Sequence, residues 1–115
     1  MHEMGIAEQL VQIALDAIPP EIENPRVEKL NLKIGKLSAV VAHSLTFCFE
    51  VIAKDTPLEG AVLEIETVPV MVQCLSCNAR WEVAGPEFRC PDCKVAEVKM
   101  VSGREIEITS LELAQ

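Results

Sequence analysis

Two Cys-x-x-Cys pairs, Cys74-Leu-Ser-Cys77 and Cys90-Pro-Asp-Cys93, stand twelve residues apart and constrain this chain more than any other feature. That spacing allows a short hairpin to bring two knuckles face to face around one tetrahedral ion. Four thiolates are soft donors that select zinc, or iron in a rubredoxin-like site, and a closed four-sulfur shell leaves no coordination position open for catalysis. A structural zinc on Cys74, Cys77, Cys90 and Cys93 is therefore expected. A thiol redox centre is the competing reading, since a Cys-x-x-Cys pair can depress a thiol pKa. It fits less well, because two matched pairs imply ligation and no thioredoxin-like βαβ pattern surrounds them. Residues 70–100 lack long periodicity, so they read as an inserted zinc ribbon whose core is the metal. The fifth cysteine, Cys48, falls on an apolar helix face beside Phe49 and Ile52, where packing is the expected role.

The remainder of the chain has clear periods. Ile6, Leu10, Ile13, Ala14 and Ala17, widened by Val11, Leu15 and Ile18, recur at helical spacing until Pro19-Pro20. Leu30, Leu32 and Ile34 alternate with Lys29, Asn31 and Lys33, predicting a half-buried strand that ends at Gly35. Leu45, Cys48, Phe49, Ile52 and Ala53 predict a second amphipathic helix, closed by Thr56-Pro57 and Gly60. A second strand follows at 61–68, and a third spans REIEITSLEL, where the apolar phase jumps near Thr109-Ser110 and suggests a bulge. The expected fold is α+β, a three-stranded sheet covered by two helices, with residues 1–69 and 101–115 in one domain and the zinc-ribbon module, 70–100, inserted in it.

Composition excludes several classes. The 115 residues hold ten Lys and Arg against eighteen Asp and Glu, for a net charge of −8, and four zinc-bound thiolates make the chain more acidic still. With no Tyr and one Trp, it has neither the basic patch nor the stacking surface of a nucleic-acid binder. No apolar run approaches the roughly 20 residues of a membrane span, and the opening MHEMGIAEQL lacks a signal peptide's basic flank, so a cytoplasmic protein is expected. No nucleophile with a plausible base and no phosphate-cradling glycine loop is present, so an enzyme is not expected.

The amino terminus offers further chemistry. A bulky second residue favours retention of Met1, and the Met1 amine, the His2 amide nitrogen and the His2 imidazole can chelate one ion. The Glu3 amide nitrogen or carboxylate could complete a four-donor N and O set suited to nickel(II) or copper(II). Glu3 near a helix start could equally serve to cap free amides, and spacing alone leaves both open. His43, the only other histidine, reads as a boundary residue, or as a fifth ligand if folding brings it to the terminus.

Met1-His2-Glu3 before a helix, LKIGKLS after the first strand, SLTFCFE on the second helix and the two cysteine knuckles, in this order, resemble the HypA/HybF family of hydrogenase maturation nickel chaperones. The resemblance spans essentially the whole chain. It implies a nickel-binding domain with an inserted zinc domain, nickel at Met1, His2 and Glu3, and zinc at Cys74, Cys77, Cys90 and Cys93. It further implies delivery of nickel to the large-subunit precursor of [NiFe] hydrogenase, with the nucleotide-hydrolysing factor HypB as partner, and in some bacteria service to urease. Two cofactor roles follow: Zn2+ as a structural ion and Ni2+ as labile cargo. No histidine lies in residues 70–100, so metal or acid sensing through ribbon histidines is not expected. A zinc-ribbon adaptor or scaffold without labile nickel is the alternative. The residues do not choose an oligomeric state, a homodimer included.

Overall fold

The computed structural model describes residues 3–85, 88–95 and 97–114. Their order is α1 (Glu3–Ala17), β1 (Val27–Gly35), a 3-10 turn (Lys36–Ser38), α2 (Ala42–Ala53), β2 (Val62–Val68), β3 (Met71–Cys74), β4 (Arg80–Glu82), β5 (Val98–Ser102) and β6 (Ile106–Leu113). The fold is α+β, with two three-stranded sheets, β2-β1-β6 and β4-β3-β5. Two compact units result: 1–33, 39–66 and 107–115 form the first, and 34–38 and 67–106 the second.

In the first unit α1 packs on α2. Its buried stripe is Ala7, Leu10, Val11 and Ala14, whereas Ile13 is 55% exposed. Of the predicted stripe Leu10, Val11 and Ala14 are buried while Ile13 and Ala17 are exposed, so the buried face is shifted toward Ala7. Ala7 and Ala14, both fully buried, place the smallest side chains where the helix is most enclosed, and that enclosure outweighs the burial of one larger isoleucine. On α2 the buried stripe Leu45, Phe49 and Ala53 matches the predicted period, with Cys48 half-buried. Strand β1 buries Leu30, Leu32 and Ile34 as its alternation requires, and occupies the centre of its sheet. Beside it, Asn31 donates to Ser110 Oγ at 3.0 Å and to Glu112 Oε2 at 3.1 Å, and Thr109 Oγ1 donates back to the Asn31 carbonyl at 3.2 Å. Along β6 both Thr109 and Ser110 are exposed, so burial changes phase at the position where the apolar pattern jumps.

The second unit departs from expectation. Residues 70–100 hold more than a metal core, because β3 pairs antiparallel with both β4 and β5. Val70, Val72 and Val83 form a buried cluster flanked by Trp81, Phe88, Val98 and Met100. Strands of three to five residues are too short to print a period in the sequence. Where the chain enters and leaves the unit, Leu37 N–H donates to the Gly103 carbonyl and Gly35 N–H to the Glu105 carbonyl, each at 2.7 Å. No helix among the described residues is long and apolar enough to cross a membrane.

Candidate metal centre

Two turns of nearly identical construction present the four sulfurs. In the first, Cys74 N–H donates to the Ala79 carbonyl at 2.8 Å, and Asn78 N–H donates to the Cys74 carbonyl at 3.0 Å. In the second, Cys90 N–H donates to the Val95 carbonyl at 2.9 Å, and Lys94 N–H to the Cys90 carbonyl at 3.0 Å. Each turn closes through a residue with positive φ, Asn78 at 64° and Lys94 at 65°. Asparagine visits that region with modest strain, so Asn78 was a readable signal, but a lysine there carries none. Lys94→Gly is expected to stabilise the ribbon by up to about 1 kcal/mol, the strain relieved less the entropy glycine gains on unfolding. A higher chelator concentration at half-release of zinc checks this, and an unchanged midpoint would show Lys94 to be unstrained.

All four sulfurs lie within 4.8 Å of one another. The short separations run across the knuckles, 3.4 Å from Cys74 to Cys93 and 3.6 Å from Cys77 to Cys90. Sulfurs about 2.3 Å from a tetrahedral ion stand roughly 3.8 Å apart, so the cluster has the size that zinc needs. Cys74 and Cys90 are fully buried, whereas Cys77 is exposed. Cys93 N–H points at Cys90 Sγ from 3.5 Å, one amide already directed at a ligand sulfur. Backbone donation from Cys77 lowers the Cys74 thiol to about 7 against the opposing effect of burial, with Ser76 and Cys93 adding to the lowering. At Cys77 the Ala79 amide pulls the thiol down, but Cys90, burial, Cys74 and Cys93 together push it up to about 12. Cys93 is likewise raised, its Val95 amide outweighed by Cys74, burial and Cys90. Without metal, then, Cys74 ionises more readily than Cys77 or Cys93, and a divalent ion must displace the protons of those two.

The expected nickel ligands Met1 and His2 lie outside the described residues. Glu3 opens α1, and its carboxylate Oε2 accepts the Val41 N–H at 3.2 Å. Val41 is the N-cap of α2 and makes no side-chain cap of its own. Glu3 thus serves the amide ahead of the other helix, as the carboxylate of a capping box does for the N-cap amide. His43 is exposed in the first turn of α2.

A family model described as "Hydrogenase/urease nickel incorporation, metallochaperone, hypA" matches residues 1–113. The chain belongs to the HypA family. The hydrogenase maturation factor HypA of Desulfosudis oleivorans is 55% identical over 115 residues and is covered, like this chain, to 100%. That of Chloroflexus aurantiacus is 46% identical over 113 residues, which is 97% of this chain and 98% of the relative. A solution structure titled as the Ni metallochaperone HypA from Helicobacter pylori shares the fold, with a TM-score of 0.71 at 22% identity, covering 98% of this chain and 97% of that one. The HypA family is one of nickel metallochaperones acting in hydrogenase maturation, and this member carries a four-cysteine cluster compatible with zinc.

Proposed function

We propose that this chain binds Ni(II) at its amino terminus through Met1, His2 and Glu3 and delivers it in the cytoplasm during maturation of [NiFe] hydrogenase. Cys74, Cys77, Cys90 and Cys93 hold a structural Zn2+ that keeps the two knuckles folded. The observation that carries the reading is the match to a nickel-incorporation family that starts at residue 1 and so includes Met1-His2-Glu3. The cysteine site supports it by exclusion, because a closed four-sulfur shell has no vacancy for an ion that must be loaded and released. Cargo therefore binds elsewhere, on harder N and O donors that exchange more readily. The reaction is ligand exchange without covalent chemistry, so the protein is a carrier and not an enzyme. HypB and the hydrogenase large-subunit precursor are the proposed partners. Residues 1–69 and 101–115 form the proposed nickel domain and 70–100 the zinc domain.

The test is a nickel titration of zinc-loaded protein with a free Met1 amine, beside His2→Ala and a variant extended by one amino-terminal residue. Tight one-to-one binding, lost in both variants, is the expected result. Binding that persists in both, or none in the native protein, would sink the terminal site and favour a zinc-ribbon scaffold.

A further inference from the structure

We infer that the open edge of β2 takes an added strand, an extended segment of a partner protein in which basic and apolar side chains alternate. β2 lies at the edge of its sheet, with β1 on one side and no strand on the other among the described residues. Every second residue of an edge strand turns its N–H and C=O away from the sheet, so Val62–Val68 presents a row of main-chain donors and acceptors. Exposed edges are commonly blunted with lysine, proline or a bulge. β2 contains neither Lys nor Pro and alternates without a break from Val62 to Glu66. The opposite edge, β6, loses its alternation at Thr109-Ser110 and is the poorer template.

The two faces of β2 set what the edge would accept. Leu30, Leu32 and Ile34 of the central strand are buried, whereas Leu63 and Ile65 on β2 stay half-buried, so the apolar side of the sheet is left partly uncovered here. A cleft of about 340 Å³ lies between α2 and the start of β2, lined by Thr46, Phe49 and Glu50 on one side and Ala61, Val62 and Leu63 on the other. An apolar side chain of an added strand would enter it beside Leu63. On the other face Glu64 and Glu66 are exposed, and with Glu50 they are the charged residues of β2 and of the cleft lining, all acidic. Opposite charges across adjacent strands stabilise a sheet, so the complement is a lysine or arginine at every second position. Like charges directly opposite destabilise it, which disfavours a second copy of this chain: two β2 strands paired antiparallel about Ile65 would set Glu64 against Glu66 twice. Main-chain pairing then supplies affinity, and the alternating side chains supply selectivity. None of these residues belongs to the cysteine cluster or to Met1-His2-Glu3.

The experiment adds capped synthetic peptides to full-length, zinc-loaded protein: alternating Lys and Val, alternating Glu and Val, and the Lys-Val peptide with its amides N-methylated. Amide spectra and hydrogen exchange are the readouts. The Lys-Val peptide is expected to slow exchange at β2 amides and to shift the Ala61 and Leu63 signals, while the other two leave them unmoved. Glu64→Lys combined with Glu66→Lys, both at exposed positions, should keep the spectrum of the folded protein and weaken the Lys-Val peptide about tenfold, since two attractive cross-strand pairs become repulsive. Equal binding of the N-methylated peptide, or shifts that avoid β2, would mean charge attraction without strand pairing and overturn the proposal. No binding of the Lys-Val peptide would overturn it as well. So would a dimer in sedimentation whose β2 amides are already protected without peptide, because the edge would then belong to a second copy.

Discussion

Removing zinc, or replacing Cys74 by serine, is expected to unfold the knuckles and disorder residues 71–102 while α1, α2 and β1 keep their structure. Cys74 ends β3, is fully buried, and has its sulfur 3.4 Å from Cys93 on the opposite knuckle. Binding of a structural zinc supplies about 10–16 kcal/mol of apparent folding free energy in small modules. The apolar alternative in this unit is three buried valines and their half-buried neighbours. Units of roughly 40 residues rarely stay folded on a core of that size without a metal or a cross-link. Amide spectra of the zinc-free protein are the check, with ribbon signals collapsing and first-unit signals unmoved; intact ribbon signals would show that the valine cluster suffices. The pH dependence has a definite sign. Because Cys77 sits near 12 and Cys93 is also raised without metal, zinc must displace their protons on binding. Affinity therefore falls as pH falls, by roughly tenfold per displaced proton per pH unit.

Gly35→Ala is expected to destabilise the chain by about 3 kcal/mol or more, the upper range for forcing atoms into filled space. A methyl group there would overlap the Gly103 carbonyl and the Arg104 amide nitrogen. Both obstacles are backbone, so no rotamer can relieve the collision. Nor can Gly103 retreat freely: its φ is 125°, its own N–H is held by Glu105 Oε1 at 2.7 Å, and Val70 crowds its Cα side. Gly5→Ala is the matching control, because it lies within α1 with nothing inside 4 Å of the added methyl. That substitution should stabilise by up to about 1 kcal/mol through helix propensity alone. Thermal or denaturant unfolding of the two variants separates them by sign, and a neutral Gly35→Ala would mean that the strand and loop can part at little cost.

Features written in single residues or in long periods were legible in the sequence. The four cysteines announced a metal cluster because ligand chemistry permits few alternatives. Strand β1 announced itself through the six-residue alternation from Lys29 to Ile34 and α2 through its i, i+4 stripe. Other features depend on partners distant in sequence. Nothing around Glu3 shows that its carboxylate reaches the amide of Val41, and nothing around Gly35 shows that Gly103 comes to rest against it. The shift in the buried face of α1 has the same origin, since its apolar stripe is broad enough to permit several faces and the neighbouring elements chose Ala7 over Ile13. Within the ribbon, elements a few residues long carry too little pattern to be seen. Lys94, in a conformation better suited to glycine or asparagine, gives no hint of its backbone at all.

The second unit is threaded from two separated stretches of chain, with 34–38 joining 67–106. A cassette excised at residues 70 and 100 would carry all four cysteines yet leave behind both Leu37 and Gly103, whose main chains are hydrogen-bonded to each other. Chimeras that exchange metal modules between relatives at those cuts would then seat a foreign cassette on the host's own part of the same unit. Contiguity along the polypeptide is a poor guide to what can be transplanted here, and a working graft has to bring the short turn after β1 along with the cysteines.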